Sequence, residues 1–208
     1  LHVLFGHLQS QFRIADDAEI AIEVDPRGFK RETADALAEI GLTRASIGVQ
    51  DLDPEVQKAV NRIQPFESTR DAVEMLRERG VTGLNIDLMY GLPHQTADGT
   101  VKTVERLMTL QPDRIALFGY AHVPWMKKHQ KLISEADLPT AQQRLKQFDA
   151  ASAKLREDGY VPIGLDHFAN PRDPMAQAHA DGDLQRNFQG YTTDNADALI
   201  GMGVSAIG

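Results

Sequence analysis

The stretch Asn85-Ile86-Asp87-Leu88-Met89-Tyr90-Gly91-Leu92-Pro93 decides how the rest of the chain is read. Together with Leu84, the residues Ile86, Leu88 and Met89 supply the apolar mass of a buried strand, and Gly91-Leu92-Pro93 stops it abruptly. Asp87 interrupts the run. A carboxylate inside an apolar strand is costly unless something pairs with it. At the carboxyl end of a strand in a parallel βα architecture, a polar ligand can supply that pairing. Taken alone, the spacing supports equally a cap on a neighbouring helix or a pair with a buried arginine.

On either side of this stretch the units repeat. Upstream, a strand is predicted over 19–24, ended by Asp25-Pro26 because Pro26 forces extended geometry on Asp25. A helix follows over 30–40, with Ala34, Leu37 and Ala38 on one side and Gly41 just past its end. A second strand runs over 44–49 and ends at Gln50. Asp53-Pro54 opens a short helix carrying Val56, Ala59, Val60 and Ile63, which Pro65 closes. A further helix over 68–79 turns Ala72, Val73 and Leu76 inward. Downstream, Thr96 begins a helix with Val101, Val104, Leu107 and Met108; Pro112 ends it, and a strand follows over 114–118. Alternation of this kind predicts an α/β protein with parallel strands and helices outside, and a (β/α) barrel, whole or partial, fits best. Neither a Gly-x-Gly-x-x-Gly nor a Walker A pattern is present to anchor a Rossmann or P-loop reading.

Beyond His122 the composition shifts. Residues 125–131 are basic and loop-like, 140–158 form a long helix (Ala141, Leu145, Phe148, Leu155), and a strand over 161–165 meets Asp166-His167-Phe168. The polar segment 170–195 is expected to be a substrate or lid loop. Residues 1–12 read as a helix and 201–207 as a Gly-rich strand, so residues 1–208 are expected to be the central part of a barrel truncated at both ends.

The 208 residues, 42% hydrophobic and 25% charged, suit one globular domain. A net charge of −8 argues against a nucleic-acid binder, and no apolar run approaches the roughly 20 residues that span a bilayer. A cytoplasmic protein with no membrane partner is expected. With no cysteine, the chain has no disulfide and no thiolate for zinc or an iron–sulfur cluster.

In such a barrel the strand ends bring Glu23 and Asp25, Gln50, Asp87 and Tyr90, Tyr120 and His122, and Asp166 with His167 to one mouth. Two chemistries fit. Asp and His residues could hold a divalent ion, although no His-x-His or His-Glu-x-x-His spacing supports it. Alternatively the carboxylates accept from ribose hydroxyls and an arginine meets a carboxylate. Arg62 is plausible there, although from the sequence alone a solvated helix charge is the better reading.

One ordered set of motifs is more specific. Glu23-Val24-Asp25-Pro26-Arg27, Gly48-Val49-Gln50-Asp51, Asn61-Arg62, the 85–93 stretch and Tyr120-Ala121-His122-Val123-Pro124 follow one another. Asp166-His167-Phe168-Ala169, the run 186–193 and the run 201–207 extend the set over nearly the whole chain. It resembles the radical S-adenosylmethionine (SAM) barrel of the oxygen-independent coproporphyrinogen III oxidases. That resemblance implies oxidative decarboxylation of coproporphyrinogen III to protoporphyrinogen IX by a 5′-deoxyadenosyl radical, from a 4Fe–4S cluster and S-adenosylmethionine. It also implies a second S-adenosylmethionine, an electron-donor protein and a monomer. By motif, Glu23 would accept from the ribose of the cluster-bound molecule and Ile207 would lie against its adenine. Gln50, Arg62, Asp87 and the backbone of Ala121 would hold the second. No catalytic residue and no metal ligand is assigned.

The family's cluster-binding Cys-x3-Cys-x2-Cys loop has no counterpart in these residues, and this chain alone is expected to be inert. Two alternatives remain. A haem-binding chaperone of the same superfamily would carry a different stretch where Leu165-Asp166-His167-Phe168 stands. A metal-dependent barrel hydrolase would use Asp87, His122 and His167.

Overall fold

A computed structural model describes residues 1–187, 190–204 and 206. Four strands, β1 (Ala21–Val24), β2 (Arg44–Gln50), β3 (Gly83–Tyr90) and β4 (Arg114–Gly119), lie side by side and parallel in sequence order. Helices α2 (Arg31–Glu39), α3 (Pro54–Ala59), α4 (Phe66–Arg77) and α5 (Ala97–Met108) connect them, after an N-terminal helix α1 (His2–Gln11) with no buried residue. Local signals set these boundaries. Asp53 caps α3 by accepting from the Glu55 and Val56 N–H groups, with Pro54 in the first turn. Thr96 caps α5 through Gly99, and Thr140 with Gln143 forms a reciprocal capping box at the start of α6 (Ala141–Glu157).

The sheet's two faces differ because side chains alternate along each strand. Ala45, Ile47, Val49, Leu84, Ile86, Leu88, Ile115 and Leu117 point to the helices and meet Leu37, Val73, Leu76, Val104, Leu107, Ala151 and Leu155 in one core. Leu76 is fully buried there, and its truncation to alanine would cost about 2–5 kcal/mol. The intervening residues line the second face. Strand register sets Glu23, Ser46, Asn85 and Arg114 in one row across it, and Gly48, Asp87 and Ala116 in the next.

After β4 the structure departs from the expected series. The strand predicted over 161–165 is only β5 (Val161–Ile163); it pairs antiparallel with β6 (His167–Ala169), which pairs antiparallel with β4, giving the order β1-β2-β3-β4-β6-β5. The short turn between β5 and β6 cannot make the crossover that a parallel neighbour needs. The expected loop over 170–195 contains helix α7 (Pro174–Asp181) and a hairpin of β7 (Gln185–Asn187) and β8 (Gly190–Thr192). The expected strand over 201–207 is absent from its described part, residues 201–204 and 206. Ile63 and Leu145, expected on apolar faces, are each 59% exposed. Ile63 lies beyond the end of α3, and Leu145 is on the outer side of α6.

At the amino-terminal end of the strands, Asp173 is almost wholly buried between two arginines. It accepts from Arg114 Nε at 2.8 Å, lies 3.6 Å from Arg44 Nη1, and also caps α7. The Arg44 guanidinium crosses β3 at Gly83, where a Cβ would fall 2.7 Å from its central carbon. This pins the return segment after β6 beneath the parallel strands.

Candidate functional site

At the carboxyl ends of β1 and β2, the backbone prepares a cradle. The ladder between β2 and β3 shifts by one residue between Gly48 and Gln50, and Gln50 takes φ = 71°. A left-handed non-glycine residue costs energy that the surroundings must supply, and such strain gathers at ligand sites. Gly48 leaves room: a Cβ there would lie 3.2 Å from Gln50 Nε2 and 3.3 Å from Arg62 Nη2. Arg62 folds back from beyond α3, donates through Nη2 to the Gly48 carbonyl (2.8 Å), and stands 3.5 Å from Asp25. Asp25 is gripped by Arg27 through both carboxylate oxygens. That hydrogen bonding first, and the Arg62 and Arg27 charges further, hold its pKa down at about 2. Burial lowers the pKa of Arg62, opposed by Asp25.

Asp87 lies in the row beside Gly48. Ser46 Oγ donates to it at 2.9 Å and Asn85 Nδ2 at 2.7 Å. Burial raises its pKa, and the two hydrogen bonds pull the other way. Glu23 is exposed in the neighbouring row and close enough to Asp87 to be felt as a like charge. Two of the five buried side-chain polar atoms that lack a hydrogen-bond partner among the described residues lie here: the donor Arg62 Nε and the acceptor Asn85 Oδ1. Such groups are rare in a finished interior and need a reason.

Buried amides behind these residues fix the loops that carry this site. Asp51, next to Gln50, is 2% exposed. It accepts from the Asp53 N–H (2.6 Å), Gln95 Nε2 (2.5 Å) and Thr103 Oγ1 (3.2 Å), and burial raises its pKa. Gln95 also holds the Leu92 N–H and the Met89 carbonyl. Gln147 of α6 then joins the Gly91 N–H to the Gln95 carbonyl, and Arg144 donates to the Tyr120 carbonyl. The ends of β2, β3 and β4 are thereby tied together by side chains whose partners lie far away in sequence.

Residues 5–107 match the family model of the Radical SAM superfamily. The protein named oxygen-independent coproporphyrinogen III oxidase in Paracoccus denitrificans is 49% identical over 207 residues, which is 100% of this chain and 46% of that relative. Its namesake in Bradyrhizobium diazoefficiens is 51% identical over 205 residues, 99% of this chain and 46% of the relative. The solved structure described as coproporphyrinogen III oxidase (HemN) from Escherichia coli, a radical SAM enzyme, superposes with a TM-score of 0.95 at 46% identity, covering 98% of this chain and 47% of its own. The chain is similar to radical SAM proteins in sequence over residues 5–107 and in fold over nearly its whole length. It spans about half the length of these relatives.

Within this radical SAM fold, Glu23, Gln50, Arg62 and Asp87 stand on one face of the sheet or at its edge. Ala121 follows β4, and its carbonyl already accepts from Gln130 Nε2 at 3.0 Å. Ile207 lies outside the described residues. The three residues of the hydrolase reading do not form one cluster. His167 shares the row of Asp87, whereas His122 turns to Tyr120 (3.2 Å) and Glu135 (3.6 Å). Among the described residues, no three His, Cys, Asp or Glu side chains come together to hold a metal ion. No helix is long and apolar enough to cross a membrane.

Sequence reasoning left out Ser46, Asn85 and Gly48 as contributors to the site. Their signal was the even spacing along β2 and β3, which sets Ser46 and Gly48 on one face and Asn85 on the face of Asp87. The buried amides Gln95 and Gln147 carried no local signal.

Proposed function

We propose that residues 1–208 form the S-adenosylmethionine-facing part of a coproporphyrinogen III oxidase barrel. The activity is the oxidative decarboxylation of coproporphyrinogen III to protoporphyrinogen IX in anaerobic haem biosynthesis, in the cytoplasm. The observation that carries this reading is the identity of about half of all residues to the coproporphyrinogen III oxidases, spread over the whole chain.

The donor set suits S-adenosylmethionine, whose amino-acid end presents a carboxylate beside an ammonium. Arg62 holds a buried unpartnered donor, Nε, near the Gly48 cradle; Asn85 holds a buried unpartnered acceptor, Oδ1, beside Asp87. In this reading Arg62 binds the carboxylate in a charge-assisted pair and Asp87 takes the ammonium or a hydroxyl. Gln50, set by its left-handed backbone, turns its amide over Gly48. The Ala121 backbone completes that site, Glu23 accepts from the ribose of a separate S-adenosylmethionine, and Ile207 faces its adenine. The bound cofactor supplies hydrogen-abstraction chemistry; the chain's part is to bind, orient and exclude water. A 4Fe–4S cluster does not fit these residues, because the sequence contains no cysteine. The chain by itself is therefore inert, and an electron-donor protein acts only where cluster ligands are supplied. We read it as monomeric.

The test is binding of S-adenosylmethionine to the chain by calorimetry, beside Arg62→Ala and Gly48→Val. Turnover of coproporphyrinogen III would then be assayed without oxygen in a polypeptide that joins these residues to a cluster-bearing segment. Binding that both substitutions weaken, with protoporphyrin formed, supports the reading. Haem binding without either result would move the assignment to a haem chaperone.

A further inference from the structure

The Asp166-His167-Phe168 stretch has no role in the reading above, yet its histidine stands on the site's face of the sheet. His167 pairs with Ala116, which pairs with Asp87, so the three share one row. Asp166 Oδ1 lies 2.7 Å from His167 Nδ1, which orients the ring and holds a proton on that nitrogen. The ring stands edge-on to Phe118 (5.7 Å between centroids) and to Tyr191 (5.8 Å). Tyr191 is itself seated by packing: a Cβ on Gly164 would overlap its phenol, and it closes over the cluster of Ile163 and Ala169. Arg186 pairs with Tyr191 across the β7–β8 hairpin and therefore shares its face; its guanidinium lies 5.3 Å from the Tyr191 ring centre.

Two donors thus lie against one tyrosine. Among the described residues, His167 Nε2 has no hydrogen-bond partner and Arg186 no ion pair. The acids facing this group are Asp166, which is occupied by the ring, and Asp87 and Glu23 farther along the sheet. An oriented imidazole and a guanidinium that both lie against one phenol are donors of the kind a carboxylate ligand accepts from.

We infer that His167, Tyr191 and Arg186 form a carboxylate-binding recess and that it takes a propionate side chain of the tetrapyrrole. The second half of this inference rests on the proposed oxidase function.

The test titrates the chain with coproporphyrin III, the stable oxidised form of the macrocycle, by fluorescence anisotropy, and in parallel with glutarate and with S-adenosylmethionine by calorimetry. Variants are His167→Gln and the series Arg186→Lys, Arg186→Ala and Arg186→Glu, each checked for folding by circular dichroism. We expect coproporphyrin affinity to fall about tenfold or more in His167→Gln and Arg186→Ala. It should fall further in Arg186→Glu and least in Arg186→Lys, with S-adenosylmethionine affinity within about twofold of wild type throughout. Arg186 is exposed on a short edge strand, so its series decides the matter even if His167→Gln fails to fold. Coproporphyrin binding that is indifferent to all four substitutions overturns the recess and leaves the oxidase reading standing. Glutarate bound in an Arg186-dependent way without coproporphyrin binding keeps the recess and removes the tetrapyrrole. Binding of neither ligand refutes the inference.

Discussion

Asp87→Asn separates the cost of the buried carboxylate from its use. Burial raises the Asp87 pKa despite the hydrogen bonds from Ser46 and Asn85. Between the unfolded value and the raised folded value, the native state holds more protons than the unfolded chain, so stability falls as pH rises through that interval. The asparagine variant lacks this titration. Its amide oxygen still accepts from Asn85, and its NH2 can donate to the Ser46 hydroxyl, so neither neighbour is stranded. The variant is therefore expected to melt at or above wild type at neutral pH, with the difference vanishing in strong acid, where both forms are neutral. For S-adenosylmethionine the effect is opposite. Losing one charge-assisted hydrogen bond costs about 1.5–3 kcal/mol, or about ten- to a hundredfold in Kd. Calorimetry at neutral pH and melting curves from pH ~4 to ~8 read the two effects separately. An unchanged Kd in a folded variant would refute the role given to Asp87. A large loss of stability at neutral pH would refute the claim that its charge is held at a cost.

Gly48→Val places methyl groups beyond a Cβ already 3.2 Å from Gln50 Nε2 and 3.3 Å from Arg62 Nη2. It should weaken S-adenosylmethionine binding about tenfold or more while far-ultraviolet circular dichroism stays unchanged; wild-type affinity would show that the cradle is not used. Asp173→Asn leaves Arg114 without its buried acid and beside Arg44, which keeps its 3.0 Å bond to Glu19, a loss of about 3–5 kcal/mol in urea unfolding; less than about 1 kcal/mol would mean that Arg114 finds another partner. Asp25, held at about 2 from an ordinary 3.8, contributes stability above 3.8 that is lost as pH falls through about 2. Its side chain is 46% exposed, so screening keeps this below about 1 kcal/mol, and Asp25→Asn should flatten the acid limb of the stability profile by that amount. An acid limb that is the same in the variant would mean the ion pair with Arg27 does not matter to folding.

The sequence by itself determined the order of the first four strands and their helices and most of their limits to within about two residues, α3 excepted, which ends at Ala59 and not at Pro65. Proline and glycine act on their own dihedrals, and caps act within one turn, so Asp53-Pro54, Thr96 and Pro112 stop and start elements wherever the chain is placed. It also singled out Glu23, Gln50, Arg62 and Asp87 by motif as candidates. Tertiary structure alone decided what those residues touch. Arg62, which reads locally as a solvated helix charge, becomes half-buried only because the β2 backbone passes beneath it at Gly48. The reversal of β6 against β4, and with it the meeting of His167 with the row of Asp87, follows from strand pairing across about fifty residues. No short-range period encodes such a pairing. The buried amides show the same limit: Gln95 and Gln147 look like surface residues in sequence, and only the approach of α6 to the strand ends gives their hydrogen bonds somewhere to go. Register and approach are properties of the packed chain, set by which apolar faces must be hidden together, and they are what turn scattered polar residues into a site.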